Sequence, residues 1–320
     1  MRRLSTLALM AALPLGALAT PALSGEITWW APEFGEERAA ELVRRFEEAH
    51  PDIQVNMEPV VTNGLQNRIL VALRSGNTPD LIDVANGWNI PFAATGGLLP
   101  LEEVLAEKNI PLDDFLPAAL ETATYEDTLY GLPFRAEAHA LIYNKAAYRE
   151  AGLAPDSPPE TWAEFVEASK ALTRTTESGV EQYGFGIAGG GEVSNTIFRS
   201  LPFIWMNGGN IISTDLSEVG LDSPESIEAV DFYTSMLTEH GVAPPSTLEN
   251  DGTALRRLFI AGTIAQYQSG QFDLASIHQE NPDLEVGTAL LPHPEGKERA
   301  AILGGWNFVI PEAAPNKEDA

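Results

Sequence analysis

Strand-like and helix-like segments alternate along the N-terminal part of the sequence, and this alternation limits the possible fold more than any other feature. The segments EITWWAP (26–32), IQVNMEPV (53–60) and DLIDVAN (80–86) have the apolar, β-branched and aromatic content of strands. The intervening segments, 36–50 and 65–75, carry apolar residues at helical spacing and are followed by Pro51 and Gly76. A β-α-β-α-β order predicts a parallel sheet covered by helices, and therefore an α/β fold.

Ligands of such sheets bind beyond the carboxyl ends of the strands. The predicted strand ends are residues 30–33, 60–64 and 86–89. Aromatic, amide and carboxylate side chains at these ends can stack on a ligand or bond to it, which makes candidate ligand contacts of Trp30, Glu33, Asn63, Asn86 and Trp88. Because side chains alternate along a strand, we expect Trp29 to face the core and Trp30 to face the ligand.

A second group of elements begins at the apolar strand ALIYN (140–144). An amphipathic helix follows, with Thr161 as its N-cap. Further predicted elements are a strand at 183–190, a buried helix at 194–209, a capped helix at 223–241, and strands at 262–270 and 284–292. The chain is long enough for two domains of about 150 residues each.

The N-terminus predicts export. Basic residues (Arg2 and Arg3) precede a short apolar stretch and then small residues, which is the order found in a signal peptide, here residues 1–24. The alternative is a buried N-terminal helix. The sequence contains no cysteine, so it offers no disulfide, no thiolate nucleophile and no lipid-anchor cysteine. We therefore expect a protein without an anchor in a Gram-negative periplasm.

The formal net charge of −27 argues against nucleic acid as a partner, because phosphates would be repelled. Searches for catalytic patterns find no G-x-S-x-G, no H-E-x-x-H and no P-loop, and the five histidines lack metal-ligand spacing. The many carboxylates leave a glycosidase dyad open as an alternative from the enzyme class. We expect no catalytic residue, metal or cofactor.

Five segments, in this order along the chain, resemble the extracytoplasmic solute-binding proteins of ABC importers, of the maltose- and glycerophosphate-binding type. They are RSGNTPDLIDV, the long stretch from YGLPFRAEAHALIYNK to PPETWAEF, FIWMNGGNII, LFIAGTIAQYQSG and ILGGWNFVIPEAAPNKEDA. The resemblance implies two α/β lobes joined by a hinge that the chain crosses several times, with the ligand in the cleft. It also implies an ABC permease as the partner of a monomeric protein.

The resemblance implies crossings near residues 135–138, 286–291 and 310–315. The predicted lobes are 25–136 with 288–312, and 137–287 with 313–320. The family has C-terminal helices in the second lobe that this sequence does not contain, so we expect the sequence to be a fragment.

Further ligand contacts follow from the resemblance. Glu137 is expected to accept hydrogen bonds from ligand hydroxyls, whereas Arg135 donates to the ligand or pairs with Glu137. His139 is interpreted as a structural histidine whose hydrogen bonds are satisfied. For Trp205 the sequence does not decide between the core and the cleft. The remaining predicted contacts are Asn207, Gln268, Ser269, Gly305, Trp306 and Asn307.

Aromatic faces and amides suit pyranose rings, which present apolar C–H faces and a rim of hydroxyls. Arg135 is the only evident cation among the predicted contacts, and two carboxylates accompany it. A phosphate dianion would find too few cationic hydrogen-bond donors there. The sequence therefore favours a neutral carbohydrate or polyol, with a cationic solute second and glycerol 3-phosphate as the alternative known within the family.

Overall fold

The computed structural model describes residues 25–32, 36–62, 64–179, 181–191, 193–213 and 217–320. The predicted signal peptide, Glu33 and Asn63 lie outside these residues. The strands are β1 (Gly25–Pro32), β2 (Ile53–Val60), β3 (Leu81–Ala85), β4 (Thr124–Tyr125), β5 (Thr128–Leu129), β6 (Leu132–Asn144), β7 (Arg174–Thr175), β8 (Glu181–Gln182), β9 (Gln266–Gly270), β10 (Val286–Ala289) and β11 (Leu303–Val309).

The α-helices are α1 (Glu36–Ala49), α2 (Leu65–Ser75), α3 (Asn86–Ala93), α4 (Glu102–Lys108), α5 (Pro117–Glu121), α6 (Lys145–Glu150), α7 (Trp162–Leu172), α8 (Val193–Met206), α9 (Pro224–Thr238), α10 (Gly252–Ile260) and α11 (Gln271–Glu280). Short 3-10 turns lie at Leu112–Asp114 and Pro245–Glu249. None of the described helices is long and apolar enough to cross a membrane.

The chain forms two compact units. The first contains the described residues up to Leu112 together with Thr122–Leu132 and Asn307–Ala320. The second contains Asp113–Glu121 and Pro133–Trp306. The lobe boundaries predicted above differ from these units mainly after residue 287, and they stay a prediction.

The first unit has the predicted α/β order. β1 pairs in parallel with β2 on one side and with β3 on the other. Trp29 and Ala31 of β1 pack with Ala39 of α1 in a buried cluster. The left-handed conformation of Gly76, with φ 70°, ends α2 where the sequence predicted it. Because side chains alternate along β1, one set faces α1 and the other set faces the opposite side of the sheet.

The second unit is built around β6. Residues 139–143 of β6 pair antiparallel with β9, and residues 141–144 pair antiparallel with β10. The first half of β6 lies beside the start of β11, where the His139 amide donates to the Ile302 carbonyl at 3.3 Å. Phe165 of α7, Phe203 of α8 and Tyr233 of α9 lie in one buried cluster with Leu141 of β6. The capping box that starts α7 confirms the predicted role of Thr161, whose hydroxyl accepts from the Glu164 amide at 3.2 Å.

Three predictions of secondary structure were wrong in part. Residues 183–190 form isolated bridges rather than a strand, because their glycines pack tightly: a Cβ at Gly184 would lie 2.0 Å from the Ser169 carbonyl oxygen. Residues 86–89, predicted as the end of a strand, form the first turn of α3. The helix at 194–209 is buried mainly in its second half, and Phe198 is exposed.

Candidate functional site

Trp30 lies at the carboxyl end of β1 and faces away from the core, as the strand alternation predicted. Its neighbour Trp29 is only 4 % exposed, and the Trp29 indole Nε1 donates to Asp83 Oδ1 at 2.8 Å. Trp30 is half-buried. Trp29 is therefore a core residue with a satisfied indole, whereas the ring of Trp30 lies at the carboxyl end of the strand, where ligands of parallel sheets generally bind.

Two residues that the sequence did not single out contact Trp30. The indole Nε1 of Trp30 donates to Glu58 Oε2 at 2.9 Å. The guanidinium carbon of Arg68 lies 4.0 Å from the centre of the Trp30 ring. Glu58 is the residue opposite Trp30 in the parallel pairing of β1 with β2, so aligning the two predicted strands would have found it. Arg68 could not be found in this way, because its position depends on how α2 packs.

Asn86 and Trp88 lie in the first turn of α3, directly after β3. The side-chain oxygen of Asn86 is buried and has no hydrogen-bond partner among the described residues. Trp88 is half-buried. Asn89, which the sequence did not single out, is fully buried, and neither atom of its side-chain amide has a partner in the described part of the chain. Both asparagines keep hydrogen-bonding capacity at this end of the sheet.

In the second unit, Arg135 and Glu137 lie on β6 and Trp306 lies on β11. Arg135 Nε is 3.4 Å from Glu137 Oε1, and both side chains are largely buried. The Arg135 guanidinium carbon is 5.7 Å from the centre of the Trp306 ring. An apolar ring face, a donor and an acceptor are thus brought together within one unit. Arg135 thus pairs with Glu137, which is one of its two predicted roles, and donation to a ligand stays a prediction.

Burial raises the pKa of Glu137, and the nearby charge of Arg135 opposes that effect without cancelling it. A carboxylate in this position lacks the water that would otherwise solvate it. It therefore gains from any hydroxyl donor that comes within hydrogen-bond distance. This electrostatic state suits a group that accepts hydrogen bonds from a ligand.

Gly305, one of the predicted ligand contacts, has a packing role between β6 and β11. In the structure, a Cβ at Gly305 would lie 2.0 Å from the Arg135 carbonyl oxygen, and the φ of Gly305 is 142°. Gly305 therefore allows β6 and β11 to pack closely. At Gly304 the nearest atoms are 3.7 Å away or more, so that position tolerates a side chain.

His139 is only partly the satisfied structural histidine that we predicted. Its Nδ1 atom is buried and has no hydrogen-bond partner among the described residues. Burial, and then the charge of Arg199, lower its pKa to about 4. The ring of Phe272 lies edge-on to it, with 6.1 Å between ring centres. Phe272 was not predicted as a site residue, but it is 42 % exposed at the start of α11, close to the strand that carries Glu137.

Several predicted contacts have partners inside the protein. The Asn207 side chain donates to Glu228 and accepts from Lys297. Gln268 Nε2 donates to the Phe198 carbonyl, and the Ser269 hydroxyl donates to Asp273. Further predicted residues with such partners are Trp205, which bonds to Asn210 and packs on a buried cluster, and Asn307, which bonds to Thr122. Their place in a ligand site stays a prediction.

The sequence profile of the family described as "Bacterial extracellular solute-binding protein" matches residues 29–320. The chain belongs to this family.

Solved and curated relatives agree with this family. An ABC transporter solute-binding protein from Thermotoga lettingae, solved with bound α-D-tagatose, is 32 % identical with a TM-score of 0.82, covering 93 % of this chain and 75 % of that one. A binding protein of Brucella abortus is 27 % identical over 98 % of this chain and 74 % of its own length. The mannitol-binding protein of Pseudomonas aeruginosa is 28 % identical over 88 % of this chain and 64 % of its own length.

For a solute-binding protein, the chemistry of these side chains is that of recognition. Within the described residues, no group of three histidine, aspartate or glutamate side chains is arranged to hold a metal ion. The two clusters described above, Trp30 with Glu58 and Arg68, and Trp306 with Arg135 and Glu137, each combine an aromatic face with a donor and an acceptor. Such surfaces bind polar ring compounds.

Proposed function

We propose that this solute-binding protein binds a neutral carbohydrate or polyol and delivers it to an ABC importer without altering it. The observation that carries the proposal is the cluster of Trp306, Arg135 and Glu137 in the second unit. A pyranose ring can stack on the indole through its C–H face while its hydroxyls bond to the two charged groups. The relatives bound to tagatose and named for mannitol support a ligand of this class.

The charges of the cluster favour a neutral ligand. Arg135 and Glu137 already balance each other at 3.4 Å, so the cluster has no net positive charge to offer an anion. A phosphate dianion placed here would approach Glu137, whose carboxylate is already poorly solvated. Glycerol 3-phosphate, the alternative ligand within the family, therefore fits less well than a sugar or a polyol.

The site of action that we propose is the periplasm of a Gram-negative cell. The predicted signal peptide at residues 1–24 supports export, and the absence of cysteine from the sequence supports a protein without a lipid anchor. The partner that we propose is the transmembrane subunit pair of an ABC permease, and the protein itself would act as a monomer. Size-exclusion chromatography with light scattering would test the monomer.

A thermal-shift screen tests the ligand class. The panel should contain neutral sugars, polyols, glycerol 3-phosphate and polyamines, each at high excess. A ligand present at about 100 times its Kd stabilises the folded state by about 2.7 kcal/mol, which a melting curve resolves easily. We expect a neutral sugar or polyol to raise the Tm. Stabilisation by glycerol 3-phosphate alone would contradict the role given to Glu137.

The rival enzyme hypothesis needs its own test. A glycosidase would use a pair of carboxylates to cleave the ligand that it binds. Incubating the protein with labelled oligosaccharides and separating the products by chromatography distinguishes the two. We expect the oligosaccharide to be recovered intact at every protein concentration, whereas product that grows in proportion to the protein would establish turnover. Glu137→Gln is the matched control, because turnover by a carboxylate pair that includes it would disappear.

A further inference from the structure

One face of the Trp30 ring is covered by a side chain of the protein itself. Arg68, in the first turn of α2, places its guanidinium carbon 4.0 Å from the ring centre. That distance is the van der Waals contact of two stacked flat groups. A sugar ring that stacks on the same face would need the same layer of space. Arg68 and a stacked ligand therefore exclude each other on that face.

The indole itself is held in place. Its Nε1–H donates to Glu58 at 2.9 Å, and Glu58 is the strand partner of Trp30 in the parallel sheet. A charge-assisted bond of this kind fixes the plane of the ring. The ring therefore does not turn to free its face, and it is the cation that has to move.

Arg68 is free to move. Its side chain is exposed to solvent. An exposed stacking contact of an arginine on a tryptophan is weak, and the released guanidinium would be solvated at once. Arg68 thus covers a binding surface without being locked onto it.

We propose that Arg68 is a displaceable internal ligand of Trp30, which a ring-shaped solute replaces when it binds. This inference rests on the proposed function, because it assigns a specificity role in binding the same class of solute. A solute with a flat apolar face gains the Trp30 surface in exchange for the arginine. A small acyclic solute cannot cover the indole and leaves Arg68 in place. Arg68 therefore selects for ring compounds and lowers the affinity for all of them.

Calorimetric titration of the best sugar from the thermal-shift panel tests the inference. We expect Arg68→Ala to tighten binding about two- to five-fold, which corresponds to the 0.5–1 kcal/mol of an exposed cation–π contact. Arg74→Ala is the matched control, because it removes the same charge from an exposed position in the last turn of the same helix. Its affinity should equal that of the wild type. Arg68→Gln provides a second variant should the alanine variant fail to fold.

A double-mutant cycle and NMR add measurements whose results would not change if Arg68 had only a structural role. In a Trp30→Ala background, Arg68→Ala should no longer change the affinity. In the wild type, saturating sugar should shift the Arg68 Nε–H resonance out of the ring current of Trp30, whereas an acyclic polyol should not.

The outcomes separate the two proposals. A wild type that binds no member of the panel would overturn the proposed function and this inference with it. A wild type that binds sugar, with Arg68→Ala equal to it, would overturn only the inference. Weaker binding by Arg68→Ala would also overturn it, because Arg68 would then be a donor to the ligand.

Discussion

Trp30 in the first unit and Trp306 in the second each lie beside an arginine and a glutamate, but the three groups are connected differently. Glu58 accepts the indole N–H of Trp30, and Arg68 stacks on the ring at 4.0 Å. Glu137 instead pairs with Arg135, which lies 5.7 Å from the Trp306 ring centre. The glutamate therefore fixes the ring in the first cluster and the cation in the second.

This difference indicates which group can move when a ligand arrives. The cation of the second cluster is held and largely buried, so Arg135 stays beside the ring as a ready hydrogen-bond donor. In the first cluster the cation is exposed and can leave. A preorganised surface binds with less loss of conformational freedom than one that must first be opened. We therefore expect the second cluster to contribute more to affinity than the first.

The largest effect should come from Gly305→Ala. The new Cβ would lie 2.0 Å from the Arg135 carbonyl oxygen, and the φ of 142° suits only glycine. Overpacking and backbone strain together should lower the free energy of unfolding by about 2–6 kcal/mol. Chemical denaturation measures this directly. The second cluster should be lost with it, because β6 and β11 carry all three of its groups.

Gly304→Ala is the matched control for this substitution. Its Cβ would meet no atom closer than 3.7 Å, so we expect a change in stability of less than about 1 kcal/mol. Equal stabilities of the two variants would show that β6 and β11 are less closely packed than the structure has them.

Truncating the two tryptophans tests the comparison itself. Trp306→Ala should weaken sugar binding by about 2–4 kcal/mol, as truncated aromatic anchors do. Trp30→Ala should cost about 0.5–1 kcal/mol less than Trp306→Ala, because it also removes the contact with Arg68 that the ligand has to break. Calorimetric titration of both variants with the same sugar gives the two values. An equal or larger loss for Trp30→Ala would reverse the order of the two clusters.

His139 should make the protein less stable in acid. The folded protein holds its pKa near 4, against the ordinary value of 6.5 in the unfolded chain. Between those values the unfolded chain binds more protons, so stability falls as the pH falls from 6.5 toward 4. The contribution is about 1–3 kcal/mol, and His139→Gln should remove it. Urea unfolding of both proteins at pH 7 and pH 4.5 measures the difference.

His278→Gln provides the comparison for this measurement, because it removes a histidine from the exposed surface of α11. We expect its pH dependence to follow that of the wild type. The assignment to His139 would fail if both variants lost the same amount of stability on acidification.

Local signals predicted about half of the strands and helices of this fold. The Pro and Gly that end α1 and α2, and the Thr161 cap of α7, act within a few residues of the chain and could be read from it. Residues 183–190 do not form the predicted strand, because their glycines allow close packing against another segment. Such contacts join residues far apart in the sequence, and no local pattern contains them.

The candidate site also contains some residues that local patterns predict and others that they do not. The outward position of Trp30 follows from strand alternation, and the stretch with Arg135 and Glu137 was recognised by resemblance. Arg68 and Phe272 were missed because their importance depends on which helix face packs where. The partners of Asn207, Glu228 and Lys297, could not be seen in the sequence either, because they lie far from it along the chain.

The smallest expected effect concerns the arginines of the two clusters. Arg68→Ala should change the free energy of unfolding by no more than about 1 kcal/mol, because it removes only an exposed contact with a ring. Arg135→Ala should cost more, because it leaves the poorly solvated Glu137 carboxylate without its partner. Adding Glu137→Gln should restore part of the stability lost in Arg135→Ala, whereas adding Glu58→Gln to Arg68→Ala should restore none. Denaturant unfolding measures both variants. If the two arginine variants were equally stable, Glu137 would not hold Arg135 in place. Arg68 would then be no freer to leave its tryptophan than Arg135 is.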